Sequence, residues 1–315
     1  MNAATVVPGG EAALHLSRDG LLPVTTQAFL QVIASGLLMG LIYALIAVGL
    51  SLIFGLMDVV NFAHGEFLML AMYATFGLVF MTALDPVVLA PLVVALMFVL
   101  GVSVYAGIIR YAMRAKANPG MVQIFATFGL ALLIQGLAQY FFTPDYRNIA
   151  NTWLGGKTLN VGGVFLPWPQ IFGGAVSLAV FAGLYWLITR TDFGKALEAT
   201  REDQGAVALV GIDRNRVFAL GWGLGAALVG IAGAVLAIFY YIHPQVGGTF
   251  ALIAYVTVAL GGFGSIFGAL VAGVIVGLVE ALTTLILPAS LKSVGVYSLY
   301  LLVLFVRPSG LFGRL

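Results

Sequence analysis

Between Asp19 and Ile109 the chain contains no lysine and no arginine. A water-soluble domain carries roughly 25% charged residues over its surface. Here only 8% of 315 residues are charged, 62% are hydrophobic, and mean hydropathy is +1.09. A stretch that long without a cation belongs in lipid, where about 20 apolar residues cross ~30 Å of hydrocarbon as a helix. Apolar windows fall near residues 29–56, 62–82, 87–109, 121–142, 168–189, 217–241, 250–262, 265–287 and 293–306. The fold class is therefore an all-α polytopic integral membrane protein with about nine spans (eight to ten). The seventh window is short and runs into GGFGSIFG, residues 261–268. Three glycines in four positions disfavour a straight helix, so a broken or re-entrant segment is expected there.

Cysteine is absent, which excludes disulfides, thiolate nucleophiles and cysteine-ligated metals. A net charge of +2 gives no reason to expect nucleic acid as a partner. Residues 1–28 lack the basic start and apolar centre of a signal peptide. They are expected to form an extracytoplasmic tail ahead of one membrane domain, residues 29–315. Lysines and arginines in short loops mark the cytoplasmic side. Arg110, Arg114, Lys116, Arg190, Lys195, Arg201, Arg214, Arg216, Arg307 and Arg314 can all share one side of a nine-span chain; Arg18, Arg147, Lys157 and Lys292 lie on the other. That places the N-terminus outside and the C-terminus in the cytoplasm. Two four-helix halves of opposite orientation then flank the fifth helix, as in inverted-repeat transporters.

Glycines occur at helix-packing spacing in Gly36/Gly40, Gly221/Gly225, Gly264/Gly268 and Gly273/Gly277. In lipid, helices gain little hydrophobic energy by meeting, so small residues that admit close backbone approach supply the packing. The GGFGSIFG glycines, with Gly261, Gly262 and Gly264 beside Ser265, are the best candidates for loosening a helix that moves.

Four ionisable groups lie in or beside apolar windows: Asp58, His64, Glu66 and Glu280. A charge at mid-bilayer costs about 3 kcal/mol on insertion scales, so each asks for a reason. Asp58 or Asn61 can cap the second helix. His64 and Glu66 are two apart and do not share a helix face, and further metal ligands are missing, so no metal site is expected. With Asn61 they read as a polar cluster on a translocation pathway. Glu280 reads as a hydrogen-bonding acid between helices, and it joins Gly261, Gly262, Gly264 and Ser265 among the candidate residues of the same pathway. Enzyme readings fail: Ser265 and His243 lack a serine-protease context, and no phosphate-binding loop is present.

Residues 190–216 hold ten of the chain's 26 charged side chains between two apolar windows. Residues 195–210 are expected to form one mixed-charge helix, with Gly211 as its stop. Such a helix is either a solvated loop or an element lying along the membrane that docks a cytoplasmic partner.

Four collinear segments resemble the branched-chain amino acid ABC-transporter permeases, more narrowly the LivH-type subunit. They are GLIYALIAVGLSLIFGLMDVVNFAHGEFLMLAMY (40–73), REDQGAVALVGIDRNRVFALGWGLGAALVGIAGAVLA (201–237), ALGGFGSIFGALVAGVIVGLVEAL (259–282) and VLFVRPSGLFG (303–313). The resemblance implies a type II-like importer permease in a bacterial inner membrane. Its partners would be a second related permease of LivM type, two cytoplasmic ATPases that bind ATP and Mg, and an extracytoplasmic solute-binding protein; the chain itself would bind no cofactor. Residues 190–216 then become the ATPase-coupling loop, with Glu198, Arg201, Glu202, Asp203, Ala206 and Gly211 as its working residues. Residues 143–167 become the docking loop for the binding protein, through Arg147 and Lys157. The rival readings are a secondary transporter of a small solute, a channel or scaffold subunit, and a related permease for urea, amides or small aromatic acids.

Overall fold

The structure is a computed structural model and describes residues 26–150 and 152–313. The expected tail therefore lies almost wholly outside the described residues, as do Arg18 and Arg314. Among the described residues, eight helices are long and apolar enough to cross a membrane, and a shorter apolar one makes nine. They are α1 (Thr26–Met57), α2 (His64–Thr82), α3 (Pro86–Ala112), α4 (Pro119–Phe142) and α5 (Trp168–Arg190). After a charged helix α6 (Asp192–Glu202) come α7 (Arg214–Leu236), α8 (Val246–Gly261), α9 (Ile266–Thr283) and α10 (Lys292–Val306). Helices are the natural answer to lipid because they satisfy every backbone group within one segment.

Helix ends follow local chemistry. Asp85 caps α3 by accepting from the Val87 amide at 2.9 Å, with Pro86 at the first helical position. Asn118 and Pro119 do the same for α4, and Asp213 accepts from the Asn215 and Arg216 amides at the start of α7. Asp85 also accepts from the Trp153 amide at 2.6 Å, tying the 143–167 loop to α3. Within that loop β1 (Thr158–Val161) and β2 (Val164–Pro167) form an antiparallel hairpin, Thr158 opposite Pro167. Gln31 clamps the hairpin to α1: its Nε2 donates to Phe165 O at 2.6 Å, and Phe165 N donates to its Oε1 at 2.7 Å.

The loops sort to two ends. At one lie the 190–213 loop, the α8–α9 turn and the tail, where Leu311 N donates to Leu260 O and Phe312 N to Gly261 O. At the other lie the hairpin, the α2–α3 turn and the α7–α8 connection, in which Arg147 and Ile242 exchange two backbone hydrogen bonds. The first end gathers the basic loop residues and is called the basic end below.

Helix pairing bears out the inverted halves. α1 packs along α9, and α7 packs along α3 in the same way. The halves meet reciprocally: a Cβ on Gly49 would fall 2.8 Å from the Gly225 carbonyl oxygen, and one on Gly225 would fall 3.0 Å from that of Gly49. Gly65 and Gly247 face each other likewise at the starts of α2 and α8. The central helices α1 and α7 are 72% and 78% buried over their apolar windows, against 6% for the segment containing α10. The core therefore runs along α1 and α7, and the rim faces lipid.

Several expectations need correction. Residues 195–210 are not one helix: α6 ends at Glu202, Asp203 is extended, and Ala206–Leu209 is a separate single turn. Asp203 accepts from the Gly205 and Ala206 amides, and these local bonds compete with helix continuation. α7 stops at Leu236 rather than near 241, because residues 237–245 turn to pair with Arg147. Neither Asp58 nor Asn61 is the N-cap of α2; that position is Ala63, whose amide donates to Asn61 Oδ1 at 3.0 Å. Asp58 instead closes α1 with φ of 53°.

Candidate functional site

At the basic end, α6 turns Gly194, Leu197 and Thr200 inward and leaves Lys195, Glu198, Arg201 and Glu202 outward. Burial of every third position on a helix with a polar opposite face is the mark of an element lying on a surface. Thr191 caps it by accepting from the Gly194 amide at 3.2 Å. Gln204 Nε2 reaches Leu56 O at 3.4 Å, fixing the segment after α6 to the end of α1. Asp203 is fully exposed, and the Ala206 and Gly205 amides hold its carboxyl below the usual carboxylate range. The single turn then ends at Gly211, whose φ of 84° suits a residue without a side chain. At the tip of this loop Leu209 is 90% exposed and Val210 74%, two apolar side chains carried beyond the helix bundle.

The α8–α9 turn comes against α6. Gly262 and Gly264 have φ of 99° and 75°, conformations that let two helices reverse within a few residues. Ser265 caps α9 by accepting from the Gly268 amide at 3.0 Å. Arg201 lies over this turn: a Cβ on Gly264 would sit 2.9 Å from Arg201 Nη2, and one on Gly55 would sit 3.7 Å from Nε. A cavity of about 600 Å³ opens between them, lined by Glu198, Arg201, Glu202, Gly264 and Ser265 among others. Two motifs 60 residues apart in the chain thus share one surface.

A second group lies inside the bundle. His64 Nε2 donates to Ile46 O at 2.9 Å. Ile46 precedes the end of α1 by about 16 Å along the helix axis, so α2 begins at that depth, not at the membrane surface. Residues 58–63 climb back without helical structure. Irregular backbone at membrane depth is tolerated where it is buried in protein or lines a cavity. Tyr255 OH donates to Phe62 O at 3.0 Å and lies 3.3 Å from Asn61 O. Tyr43 and Phe250 approach to 6.2 Å and Phe54 and Phe263 to 4.5 Å, so α8 also begins at depth. Asn61, His64 and Glu66 are 1%, 0% and 6% exposed. Among the described residues, Asn61 Nδ2, His64 Nδ1 and Glu66 Oε2 have no hydrogen-bond partner.

The eight expected pathway residues thus occupy three places. Asn61, His64 and Glu66 are buried around the start of α2, His64 turned to Ile46 on α1 and Glu66 to Gly247 on α8, whereas Gly261, Gly262, Gly264 and Ser265 lie at the basic end. Glu280 lies apart from both: Tyr43 donates to its Oε2 at 2.6 Å and Lys292 pairs with its Oε1 at 2.9 Å, beside a cavity of about 250 Å³. Arg147 is engaged internally, its Nη2 donating to Phe142 O at 2.6 Å and its guanidinium lying over Phe76 and Phe142. Lys157 is exposed. Sequence reasoning passed over Tyr255, Tyr43 and Lys292, whose roles depend on partners up to 237 positions away, and over Leu209 and Val210, which look like ordinary apolar residues in a string. No group of three or more metal-ligating side chains occurs among the described residues.

A family described as "Branched-chain amino acid transport system / permease component" matches residues 32–306. The chain is 32% identical over 298 residues to the high-affinity branched-chain amino acid transport system permease protein LivH of Escherichia coli K12, covering 91% of this chain and 96% of that one. It is 31% identical to LivH of Salmonella typhimurium with the same coverage. It is also 31% identical to BraD of Pseudomonas aeruginosa over 297 residues, again 91% and 96%. No solved structure matches the chain. With nine apolar helices among its described residues, its inverted halves and a family match along nearly its whole length, this chain belongs to the permease components of branched-chain amino acid transport systems.

Proposed function

We propose that the chain is one of two permeases in a binding-protein-dependent ABC importer of branched-chain or related amino acids. Its basic end faces the cytoplasm of a bacterial inner membrane, where a pair of ATPase subunits supplies the ATP chemistry. A related second permease completes the pathway, and a solute-binding protein docks at the opposite end, where Lys157 is free to meet acidic groups. The observation that carries this reading is the basic end itself: an amphipathic helix, an exposed apolar tip and a glycine turn packed under Arg201. A docking helix seated on a partner can push only what it touches. α6 packs on α5, α7 and the end of α1, and its Arg201 lies over the α8–α9 turn, so displacement of Glu198 to Gly211 is felt where the two halves join. Each bound partner favours one arrangement of the helices by its differential affinity for the two.

Arg201→Glu tests the coupling. In proteoliposomes holding the whole importer, ATP hydrolysis should continue while ATP-driven leucine uptake falls by at least tenfold. Retention of both at wild-type levels refutes the coupling role. Uptake driven by an ion gradient, with no ATPase present, supports the secondary-transporter reading instead.

A further inference from the structure

Resting on the reading of this chain as a solute pathway, we propose that Glu66 receives the ammonium group of the transported solute, with Phe62, Phe128 and Tyr255 as the wall for its apolar side chain. Glu66 is 6% exposed, yet its Oε2 has no partner among the described residues, and the acid lies where α2 and α8 both begin. A Cβ on Gly247 would sit 2.9 Å from that oxygen, so the carboxylate points at the start of α8. One residue further on, a Cβ on Gly248 would meet nothing within 4 Å. An acid without a partner among the described residues thus sits at a depth where such a group is costly, one helix position from a glycine with free space at its Cβ. Asn61 Nδ2, 1% exposed, is a second polar atom without a partner on the same connection.

The aromatic wall lies further along the same face of α8, Tyr255 being seven residues beyond Gly248. Phe62 lies 5.6 Å from Tyr255 and 6.3 Å from Phe128, ring centre to ring centre. Tyr255 is near enough to Glu66 to interact with it electrostatically. Phe62 is 36% exposed and Phe128 50%, so the rings present a free apolar surface. A carboxylate, two helix starts rich in free amides and an aromatic wall match the three parts of an apolar α-amino acid. The ammonium takes Glu66, the amides at Gly247 and Gly248 face the solute carboxylate, and the side chain takes the rings. A urea, an amide or an aromatic acid without an amine has no use for Glu66.

The test uses the complete importer in proteoliposomes with L-leucine as probe, reading leucine delivered per ATP hydrolysed. Glu66→Gln should lower that ratio at least tenfold, as expected when one partner of a buried charge pair is lost, and Glu66→Asp should recover part of it. Gly248→Leu adds a side chain at a position where a Cβ meets no atom within 4 Å, and should lower the ratio equally in a fully assembled complex. A wild-type ratio in Glu66→Gln, or in assembled Gly248→Leu, overturns this proposal and leaves the importer reading standing. A wild-type complex that moves no leucine with ATP overturns the importer reading, and this one with it.

Discussion

The seam between α1 and α9 offers a quantitative test of how the bundle is held together. A Cβ placed on Gly273 would lie 2.5 Å from both Cα and N of Ala44 and 2.6 Å from its Cβ. Carbon atoms rest at about 3.5–4.0 Å, so Gly273→Ala requires the two helices to part by roughly 1 Å. Backbone atoms cannot swing aside as a side chain can. Parting by that amount also loosens the contacts of Gly36 and Gly40, which a Cβ would bring to 2.9 Å from Gly277 O and 2.8 Å from Val274 Cα. Overpacking costs about 1–3 kcal/mol, and a gap of ~1 Å forfeits up to half of each dispersion contact along the seam. Against this stands a gain of about 1 kcal/mol in helix propensity for alanine over glycine. The expected net loss is about 2 kcal/mol. Gly183 on α5 is the control, since a Cβ there meets nothing within 4 Å, and Gly183→Ala should stabilise by roughly 0.5–1 kcal/mol. Unfolding titrations in mixed micelles with rising dodecyl sulfate measure both variants. If Gly273→Ala matches or exceeds the wild type, close backbone packing does not hold α1 to α9.

Two further perturbations probe the ends. Leu209→Asp should leave the bundle's own unfolding unchanged, because the side chain is 90% exposed. It should weaken ATPase binding at least tenfold in pull-down titrations, since burying a leucine is worth about 1.5–3 kcal/mol. Lys292→Met leaves Glu280, 8% exposed, with Tyr43 alone; because the lysine is 44% exposed, the loss should be about 1–2 kcal/mol rather than the larger cost of a deeply buried pair. The double variant with Glu280→Gln should recover most of it in the same unfolding assay.

Much of this architecture is legible in the string. Lipid imposes one backbone solution, so every apolar window became a helix, and α2, α5 and α10 begin and end within a few residues of their windows. Depth is not legible. A hydropathy window records how apolar a segment is, not the level at which it starts, so the windows 29–56 and 62–82 do not reveal that residues 58–63 climb beside α1 to Ile46. The split of residues 195–210 was hidden for another reason: Asp203 is neutral to helix formation until its carboxylate finds the Gly205 and Ala206 amides. Asn61, His64 and Glu66 could be picked out because polar groups are rare in such windows. Their grouping with Tyr255 could not, because it depends on a helix almost 200 positions later. Glu280 shows the same limit: its hydrogen bond between helices could be expected from the sequence, but its partners Tyr43 and Lys292 could not.

Gly49 against Gly225, and Gly65 against Gly247, give the molecule a pivot. Backbone comes close to backbone at both points, with the Ile53 side chain seated against Gly225 and Ala251 against Gly65. The amides of each helix keep their own carbonyls throughout, and rolling presents no polar atom to the acyl chains. A swing of about 10° about that fulcrum moves either mouth by roughly 3 Å across a ~15 Å half-thickness. A rotation about small residues at mid-depth would therefore displace the two surfaces in opposite directions.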